Sequence, residues 1–109
     1  MVKEVSVEEL AKLVSEGVQV VDVRETEELK DGVIEGGVHW PLSSLGLHKK
    51  EIASRRAVLF YCRSGLRSMK AAEIAEEWTG ETIYSLNGGF MGYKNFQGQD
   101  DAKAEENLV

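Results

Sequence analysis

The sequence predicts an α/β domain of three layers, in which a central, mostly parallel sheet of about five strands carries helices on both faces. Short apolar runs rich in β-branched residues alternate along the chain with segments whose apolar residues have helical spacing. Such runs are typical of strands that are buried on both faces, as in a parallel sheet. A chain of 109 residues has room for one core. We therefore predict a domain at residues 1–97 and a polar, acidic tail at residues 98–109.

The first part of the chain predicts an edge strand, a helix and a central strand. A strand at residues 3–5 precedes a capping box, in which Ser6 begins a helix and Glu9 reaches back to it. Gly17 is a suitable residue to end this helix. The Val-rich run at residues 18–23 then indicates a strand with both faces buried.

Two charged residues lie at the end of this central strand. Asp22 and Arg24 fall at its carboxyl end, where ligand sites gather in open α/β sheets. We assign them a supporting role, in which they brace neighbouring segments, rather than a role in proton transfer. A short helix at residues 25–30 and a turn should follow.

Neither histidine is given a chemical role. His39 lies on a short strand before Pro41, where a structural or surface histidine is more common than a general base. His48 lies in a polar helical stretch at residues 43–54, and we expect it to be exposed.

The only cysteine, Cys62, follows a buried strand at residues 57–61 and precedes a helix that begins near Ser68. Backbone N–H groups at a helix N-terminus lack intrahelical partners and favour an anion. Gly65 permits the loop between strand and helix to curl, so that its amides converge on the sulfur. We expect these amides to lower the pKa of the thiol and to make Cys62 a thiolate nucleophile near neutral pH.

The residues that follow Cys62 are predicted to bind substrate. Two permanent positive charges in the loop suit an anionic ligand. The predicted binding residues are Arg63, Ser64, Gly65, Leu66 and Arg67.

The remaining chain predicts one more strand and a closing helix. The strand is expected at residues 82–86, and a glycine turn at residues 88–89 lets the backbone come close to the cysteine loop. A short aromatic helix should occupy residues 90–96. Beyond it the chain is polar and acidic, and we expect it to be frayed or weakly helical.

Composition and charge exclude several classes of function. A net charge of -6 argues against nucleic-acid binding, which needs a basic face. No apolar run is long enough to span a bilayer, and the N-terminus does not read as a signal peptide. One cysteine and two scattered histidines predict no metal site, and we expect no organic cofactor. A thiolate enzyme without a disulfide fits a reducing compartment, so we predict a cytoplasmic protein.

Three motifs resemble those of the single-domain rhodaneses, a family of sulfurtransferases, and they occur in the family's order over roughly residues 4–97. Residues 62–68, CRSGLRS, are similar to the family's active-site loop. Residues 32–41 resemble its second signature, with Val33 in place of the usual His and Gly37 in place of the usual Ala. Residues 86–89 followed by an aromatic helix resemble its closing motif.

The resemblance implies a sulfurtransferase that needs no cofactor. Cys62 would take a sulfane sulfur from thiosulfate or a similar small anionic donor, become a persulfide, and pass the sulfur to cyanide or a thiol. A protein acceptor is the alternative partner, which would make the chain a persulfide carrier or binding module that serves another protein.

A small cysteine phosphatase or arsenate reductase is a further, less favoured alternative. Those enzymes resemble the pattern C-x5-R, whereas this chain has C-x4-R, from Cys62 to Arg67. Tyr61 also replaces the His that commonly precedes a phosphatase cysteine. The shorter loop suits one extra sulfur atom better than a whole phosphate.

Overall fold

The computed structural model describes residues 1–54 and 57–107, which form a five-stranded parallel sheet with helices on both faces. The strands are β1 (Val2–Val5), β2 (Gln19–Asp22), β3 (Val38–His39), β4 (Val58–Tyr61) and β5 (Ile83–Leu86). The helices are α1 (Val7–Ser15), α2 (Lys49–Ser54), α3 (Leu66–Glu76) and α4 (Gly89–Asn107), with two 3₁₀ helices at Thr26–Asp31 and Leu42–His48. The predicted fold class is confirmed.

The order of the strands brings the ends of β2, β4 and β5 together. The sheet has the order β1-β5-β4-β2-β3, and every neighbouring pair is parallel. Asp22 of β2 is in register with Tyr61 of β4 on one side and with His39 of β3 on the other. Because parallel strands end at the same edge of a sheet, the loops after these strands meet there.

The central strand β4 supplies side chains to both halves of the core. Val58 and Phe60 pack, together with Cys62, on the face covered by α2 and α3. Leu59 and Tyr61 pack on the opposite face, beneath α1 and α4. Burial of each large apolar side chain contributes roughly 1.5–3 kcal/mol, so both faces hold β4 firmly in place. Cys62 therefore directly follows the strand whose four residues are all buried.

The capping box at the start of α1 is present as predicted. The backbone N–H of Ser6 donates a hydrogen bond to the Glu9 carboxylate at 3.2 Å. Leu10 carries the apolar face of this helix into the core, and α1 ends just before Gly17. The predicted edge position of β1 is also confirmed, since among the described strands it pairs with β5 alone.

The last helix is longer than the short helix predicted at residues 90–96. α4 runs from Gly89 to Asn107 and includes most of the segment interpreted as a tail. Its later residues include Ala, Gln and Glu, which are good helix formers and can extend a helix that has already been nucleated. Leu108 and Val109 lie outside the described residues. The division of the chain at residue 97 stays a prediction.

The expectation that His48 is exposed is wrong. Its side chain is half-buried, and its ring stacks on that of Trp40 with the centroids 4.7 Å apart and an angle of 8° between the planes. Stacking of two flat rings removes apolar area of both from water, and a polar helical pattern in the sequence does not indicate such a contact.

In the part of the chain that the structure describes, no helix combines the length and the apolar character needed to cross a membrane.

Candidate active site

Cys62 is the centre of the candidate site. Its side chain is buried immediately after β4, and the loop after it closes over the sulfur. The backbone N–H of Gly65 donates to Sγ at 3.1 Å, and that of Ser68 donates at 3.4 Å. Gly65 has a φ of 112°, in the left-handed region that favours glycine, which turns its N–H toward the sulfur.

The pKa of Cys62 is lowered by this arrangement. Burial raises the pKa of the thiol because it disfavours the charged form, but the amide hydrogen bonds from Ser68 and Gly65 outweigh that effect. Amide donors stabilise the thiolate and contribute nothing comparable to the neutral thiol. The site therefore has the features of an activated nucleophile rather than of an inert buried cysteine.

Ser68 links the loop to the neighbouring strand. Its hydroxyl lies 3.7 Å from Sγ of Cys62, 3.0 Å from the carbonyl oxygen of Gly65 and 2.8 Å from the hydroxyl of Ser85 on β5. Both serines are fully buried. The Ser68–Ser85 contact was not predicted, because the strand that contains Ser85 was recognised from its apolar residues.

The start of α4 holds the outer side of the loop. The N–H of Phe90 donates to the carbonyl oxygen of Cys62 at 2.8 Å, and the N–H of Met91 donates to that of Arg63 at 3.1 Å. These are among the free N–H groups that every helix has in its first turn. Because they bind the carbonyl oxygens on one side of the loop, the loop is held with its amides toward the sulfur.

Gly89 allows this contact. A Cβ atom at Gly89 would lie 2.5 Å from the carbonyl oxygen of Cys62 and 2.6 Å from that of Arg63. Its φ of 57° is in the left-handed region as well. The expected close approach of the glycine turn to the cysteine loop is confirmed.

Arg67 is held by a partner that sequence reasoning missed. Its guanidinium donates two parallel hydrogen bonds to the Glu28 carboxylate, at 2.6 and 2.7 Å. This bidentate bond lowers the pKa of Glu28 to about 2 and raises that of Arg67. Glu28 lies on the first 3₁₀ helix, where only its place in a charged stretch is visible from the sequence.

The other predicted loop residues are less enclosed. Arg63 and Ser64 are exposed, and Leu66 is 82% exposed at the start of α3. Arg63 takes part in no ion pair with another described residue. The loop thus presents backbone amides to the sulfur and side chains to solvent, and a binding role for these side chains stays a prediction.

Asp22 and Arg24 form a buried ion pair beside the site. Arg24 Nη2 lies 2.7 Å from Asp22 Oδ2, and its Nε donates to Asp22 Oδ1 at 3.0 Å. The guanidinium also donates to the carbonyl oxygens of Gly32 and Glu28 and lies over the ring of Phe90. Although burial acts to raise the pKa of Asp22, the hydrogen bonds from Arg24 lower it overall. These contacts support the bracing role predicted for the pair.

Tyr61 completes this buried network. Its hydroxyl donates to Asp22 Oδ2 at 2.9 Å and accepts the N–H of Ile34 at 3.1 Å. Burial raises the pKa of Tyr61 to about 12, so the hydroxyl keeps its proton at neutral pH. From the sequence, Tyr61 was the last residue of an apolar strand and the replacement for a phosphatase His. Its contact with Asp22 follows from the register of β4 with β2, which the sequence does not display.

His39 makes a structural contact with the backbone of Arg24. Its Nε2 lies 2.7 Å from the carbonyl oxygen of Arg24, and the side chain is half-buried. Among the side chains that the structure describes, no group of three or more His, Cys, Asp or Glu residues is placed to hold a metal ion. The expected absence of a cofactor stays a prediction.

Three curated relatives match most of the chain. It is 39% identical over 85 residues to an uncharacterized Bacillus subtilis protein, YqhL, covering 78% of this chain and 65% of that protein, which is slightly under two thirds of its length. It is 30% identical over 95 residues to a putative sulfurtransferase of Bacillus subtilis, YtwF, covering 85% of this chain and 91% of the relative. It is 28% identical over 103 residues to the thiosulfate sulfurtransferase GlpE of Coxiella burnetii, covering 94% and 96%.

Solved structures and a family model agree with these relatives. A rhodanese-like domain protein from Staphylococcus aureus superposes with a TM-score of 0.74 at 27% identity, covering 84% of this chain and 90% of that one. The reduced CoADR-RHD protein of Bacillus anthracis superposes with a TM-score of 0.77 at 33% identity, covering 84% of this chain but 16% of that longer one. The Rhodanese-like domain model matches residues 6–96. With relatives that are named sulfurtransferases and a family model that spans most of its length, the chain belongs to the Rhodanese-like domain family.

Proposed function

We propose that the protein is a sulfurtransferase that moves a sulfane sulfur from thiosulfate or a similar donor to cyanide or a thiol through a persulfide on Cys62. The observation that carries the proposal is the pair of amide hydrogen bonds to Sγ, at 3.1 and 3.4 Å, in a buried loop. Family membership and relatives named as sulfurtransferases support the reaction class. A relative named thiosulfate sulfurtransferase supports thiosulfate as the donor.

The first half-reaction loads the cysteine. The Cys62 thiolate attacks the outer sulfur of thiosulfate, a new S–S bond forms, and the S–S bond of thiosulfate breaks. The electron pair of the broken bond leaves with sulfite, and Cys62 carries the persulfide. Because the attacking sulfur is already ionised, no separate base is needed.

The second half-reaction removes the transferred sulfur from Cys62. Cyanide or a thiolate attacks the outer sulfur of the persulfide, and the electron pair of the breaking bond returns to Sγ of Cys62. The loop amides stabilise negative charge on the sulfur in both steps. No electron is gained or lost in the complete cycle, so neither a metal nor an organic cofactor is required.

The loop residues have unequal parts in this proposal. Arg63 is exposed beside Cys62 and attracts the anionic donor toward an acidic protein. Arg67 adds positive charge while Glu28 fixes its orientation. Ser64, Gly65 and Leu66 complete the loop through their backbone. The ion pair between Asp22 and Arg24 braces the segments beside the loop.

The persulfide carrier is the second candidate function. Leu66 is 82% exposed at the mouth of the loop, where a partner protein that accepts the sulfur would cover it.

We propose the cytoplasm as the location, because a reactive thiolate needs a reducing compartment. The phosphatase alternative loses support, because the family matched is that of rhodaneses and the loop has the shorter spacing.

Intact mass measurement tests the proposal directly. The mass of the intact, reduced protein is measured before and after treatment with thiosulfate, and again after cyanide is added. Cys62→Ser is the matched control. We expect a gain of one sulfur atom that cyanide removes and that Cys62→Ser does not show. A folded, reduced protein that gains no sulfur would exclude thiosulfate as the donor. Formation of the persulfide with slow release to cyanide would favour the carrier.

A further inference from the structure

The buried hydroxyl of Ser85 has no part in the mechanism proposed above. Ser85 lies on the internal strand β5, in register with Phe60 of β4, and is 1% exposed. Ile83, two residues earlier on the same strand, packs with Phe60 in the apolar core beneath α2 and α3. A hydroxyl buried in such surroundings costs free energy unless it is hydrogen-bonded.

Ser68 is the hydrogen-bond partner of Ser85. The two hydroxyl oxygens are 2.8 Å apart, and this is the one side-chain hydrogen bond that Ser85 makes with a described residue. Ser68 is the third residue of α3 and is completely buried. Its hydroxyl also lies 3.0 Å from the carbonyl oxygen of Gly65 and 3.7 Å from Sγ of Cys62. Ser68 therefore connects Ser85 to the sulfur.

The protons of the two hydroxyls can be assigned by counting. A serine hydroxyl donates one hydrogen bond and accepts two. Because the carbonyl oxygen of Gly65 can only accept, the bond to it uses the proton of Ser68. The bond between the two serines then has to use the proton of Ser85. When Cys62 is a thiol, its S–H donates to the remaining acceptor position of Ser68.

Loss of the thiol proton to water changes this count. The thiolate of Cys62 only accepts, so the Ser68 hydroxyl can turn its proton from the carbonyl oxygen of Gly65 to Sγ while its oxygen stays in place. The carbonyl oxygen keeps a partner, because the N–H of Met69 donates to it at 3.2 Å. Ser85 continues to donate to Ser68, which polarises the Ser68 hydroxyl and makes it a stronger donor.

We propose that Ser85 is a positioning residue, which holds the Ser68 hydroxyl in place and strengthens it as a donor to the Cys62 thiolate. Although burial raises the pKa of Cys62, the Ser68 hydroxyl acts together with the loop amides to lower it. The same donor is in place when an electron pair returns to Sγ in the second half-reaction. The use of the thiolate for sulfur transfer rests on the proposed function, whereas the formation of the thiolate does not.

The pH dependence of alkylation tests whether Ser85 acts on the sulfur through Ser68. Rates with iodoacetamide are measured across a pH series for the wild type, Ser85→Ala, Ser68→Ala and the double variant. We expect Ser85→Ala to raise the midpoint by about 0.3–1 pH unit, the contribution of one hydrogen bond to the charged form. Ser68→Ala should raise it at least as much. The double variant should have the midpoint of Ser68→Ala, because the hydroxyl through which Ser85 acts is then absent.

Two further variants distinguish this role from a purely structural one. Ile83→Val shortens a buried side chain by one carbon on the same strand and should lose a degree of stability similar to that lost by Ser85→Ala. It should nevertheless keep the wild-type midpoint of alkylation. Ser85→Thr retains the hydroxyl and should also have the wild-type midpoint.

Several results would overturn the inference. One is an unchanged midpoint in Ser85→Ala, and another is an equal shift in Ile83→Val or Ser85→Thr. A lower midpoint in Ser85→Ala would mean that Ser85 takes the proton of Ser68 instead of donating its own. A further shift when Ser85→Ala is added to Ser68→Ala would show that Ser85 does not act through Ser68.

Uptake of sulfur from thiosulfate separates a failure of this inference from a failure of the proposed function. Intact mass is followed for the wild type and Ser85→Ala across the same pH series. Well below both midpoints, uptake should be about two- to tenfold slower in Ser85→Ala, and well above them the two rates should agree. If alkylation shifts as expected but the wild type takes up no sulfur, the proposed function fails and the positioning role stands. If the wild type takes up sulfur but alkylation does not shift, the positioning role fails and the proposed function stands.

Discussion

Arg67 and Glu28 form a bidentate ion pair, with N–O distances of 2.6 and 2.7 Å, that connects the helix after the cysteine loop to the first 3₁₀ helix. The arginine that the sequence predicts as a substrate ligand is therefore orientated by the protein itself. Its charge still acts on the loop, since the interaction with the cysteine contributes to the raised pKa of Arg67. Glu28 is thus a positioning residue for the positive side of the site.

Glu28→Gln should lower the free energy of unfolding by about 0.5–1 kcal/mol at neutral pH, because the pair is partly exposed. The hydrogen bonds from Arg67 lower the pKa of Glu28 from its ordinary value of 4.5 to about 2, so the contribution of the pair is present above about pH 4.5 and is lost as the pH falls through 2. Urea unfolding at neutral and strongly acidic pH should show the difference between wild type and variant shrinking in acid. Glu73→Gln, on the exposed face of α3, is the control. An equal difference at both pH values would contradict the prediction.

Alkylation of Cys62 by iodoacetamide should have its midpoint at a lower pH in the folded protein than in the unfolded one. The amide hydrogen bonds lower the pKa of the thiol despite its burial, and alkylation follows the thiolate. Rates measured across a pH series give the midpoint. The same protein in concentrated urea is the control, because a free thiol has a pKa of about 8.5. A midpoint in the folded protein at or above that value would show that burial dominates.

Gly89→Ala should destabilise the protein by about 2 kcal/mol or more and slow the uptake of sulfur. The new Cβ atom would lie 2.5 Å from the carbonyl oxygen of Cys62, so the loop or α4 has to move. Gly98→Ala on the same helix is the control, because its Cβ meets no atom within 4 Å and should stabilise by about 0.5–1 kcal/mol. Denaturant unfolding and intact mass after thiosulfate measure the two effects. Similar behaviour of the two variants would show that contact between α4 and the loop is unimportant.

Asp22→Asn should lower the free energy of unfolding by about 3–5 kcal/mol, because it leaves the Arg24 guanidinium buried without its counter-ion. Tyr61→Phe removes only one hydroxyl from the same network and should cost about 1–2 kcal/mol. Denaturant unfolding gives both values, with Glu27→Gln on the exposed face of the first 3₁₀ helix as the control. A loss at Asp22 no larger than that at Tyr61 would mean that the ion pair contributes little.

Most elements of the fold were predictable because they depend on local patterns, although the length of α4 was not. The run at residues 57–61, Gly65 and the helix after Ser68 indicated that Cys62 lies where a strand ends and a helix begins, and the structure places it there. The capping box at Ser6 and the break at Gly17 are equally local. Such signals depend on spacing along the chain, which the sequence displays directly.

The contacts between distant segments were not predictable in the same way. Glu28 and Arg67, or Ser68 and Ser85, meet only after the sheet has brought their elements together. Periodicity indicates which face of an element is buried, but it does not specify the residue opposite. The glycine turn at residues 88–89 indicated a close approach to the cysteine loop, but the hydrogen bond from Phe90 to the carbonyl oxygen of Cys62 is made by backbone atoms, so residue type does not identify the groups that meet.

The edge position of β1 has a consequence for the order of assembly during synthesis. Its residues Val2–Val5 pair with Ile83–Leu86, so the first strand of the domain has its one neighbour among the described strands near the far end of the domain. Until β5 is made, the backbone of β1 has no partner strand, and its apolar side chains are not yet fully buried. Contacts between segments so far apart in sequence slow folding, because a long loop has to close before they form. Among the described strands, β1 therefore cannot take its place in the sheet until β5 has been made.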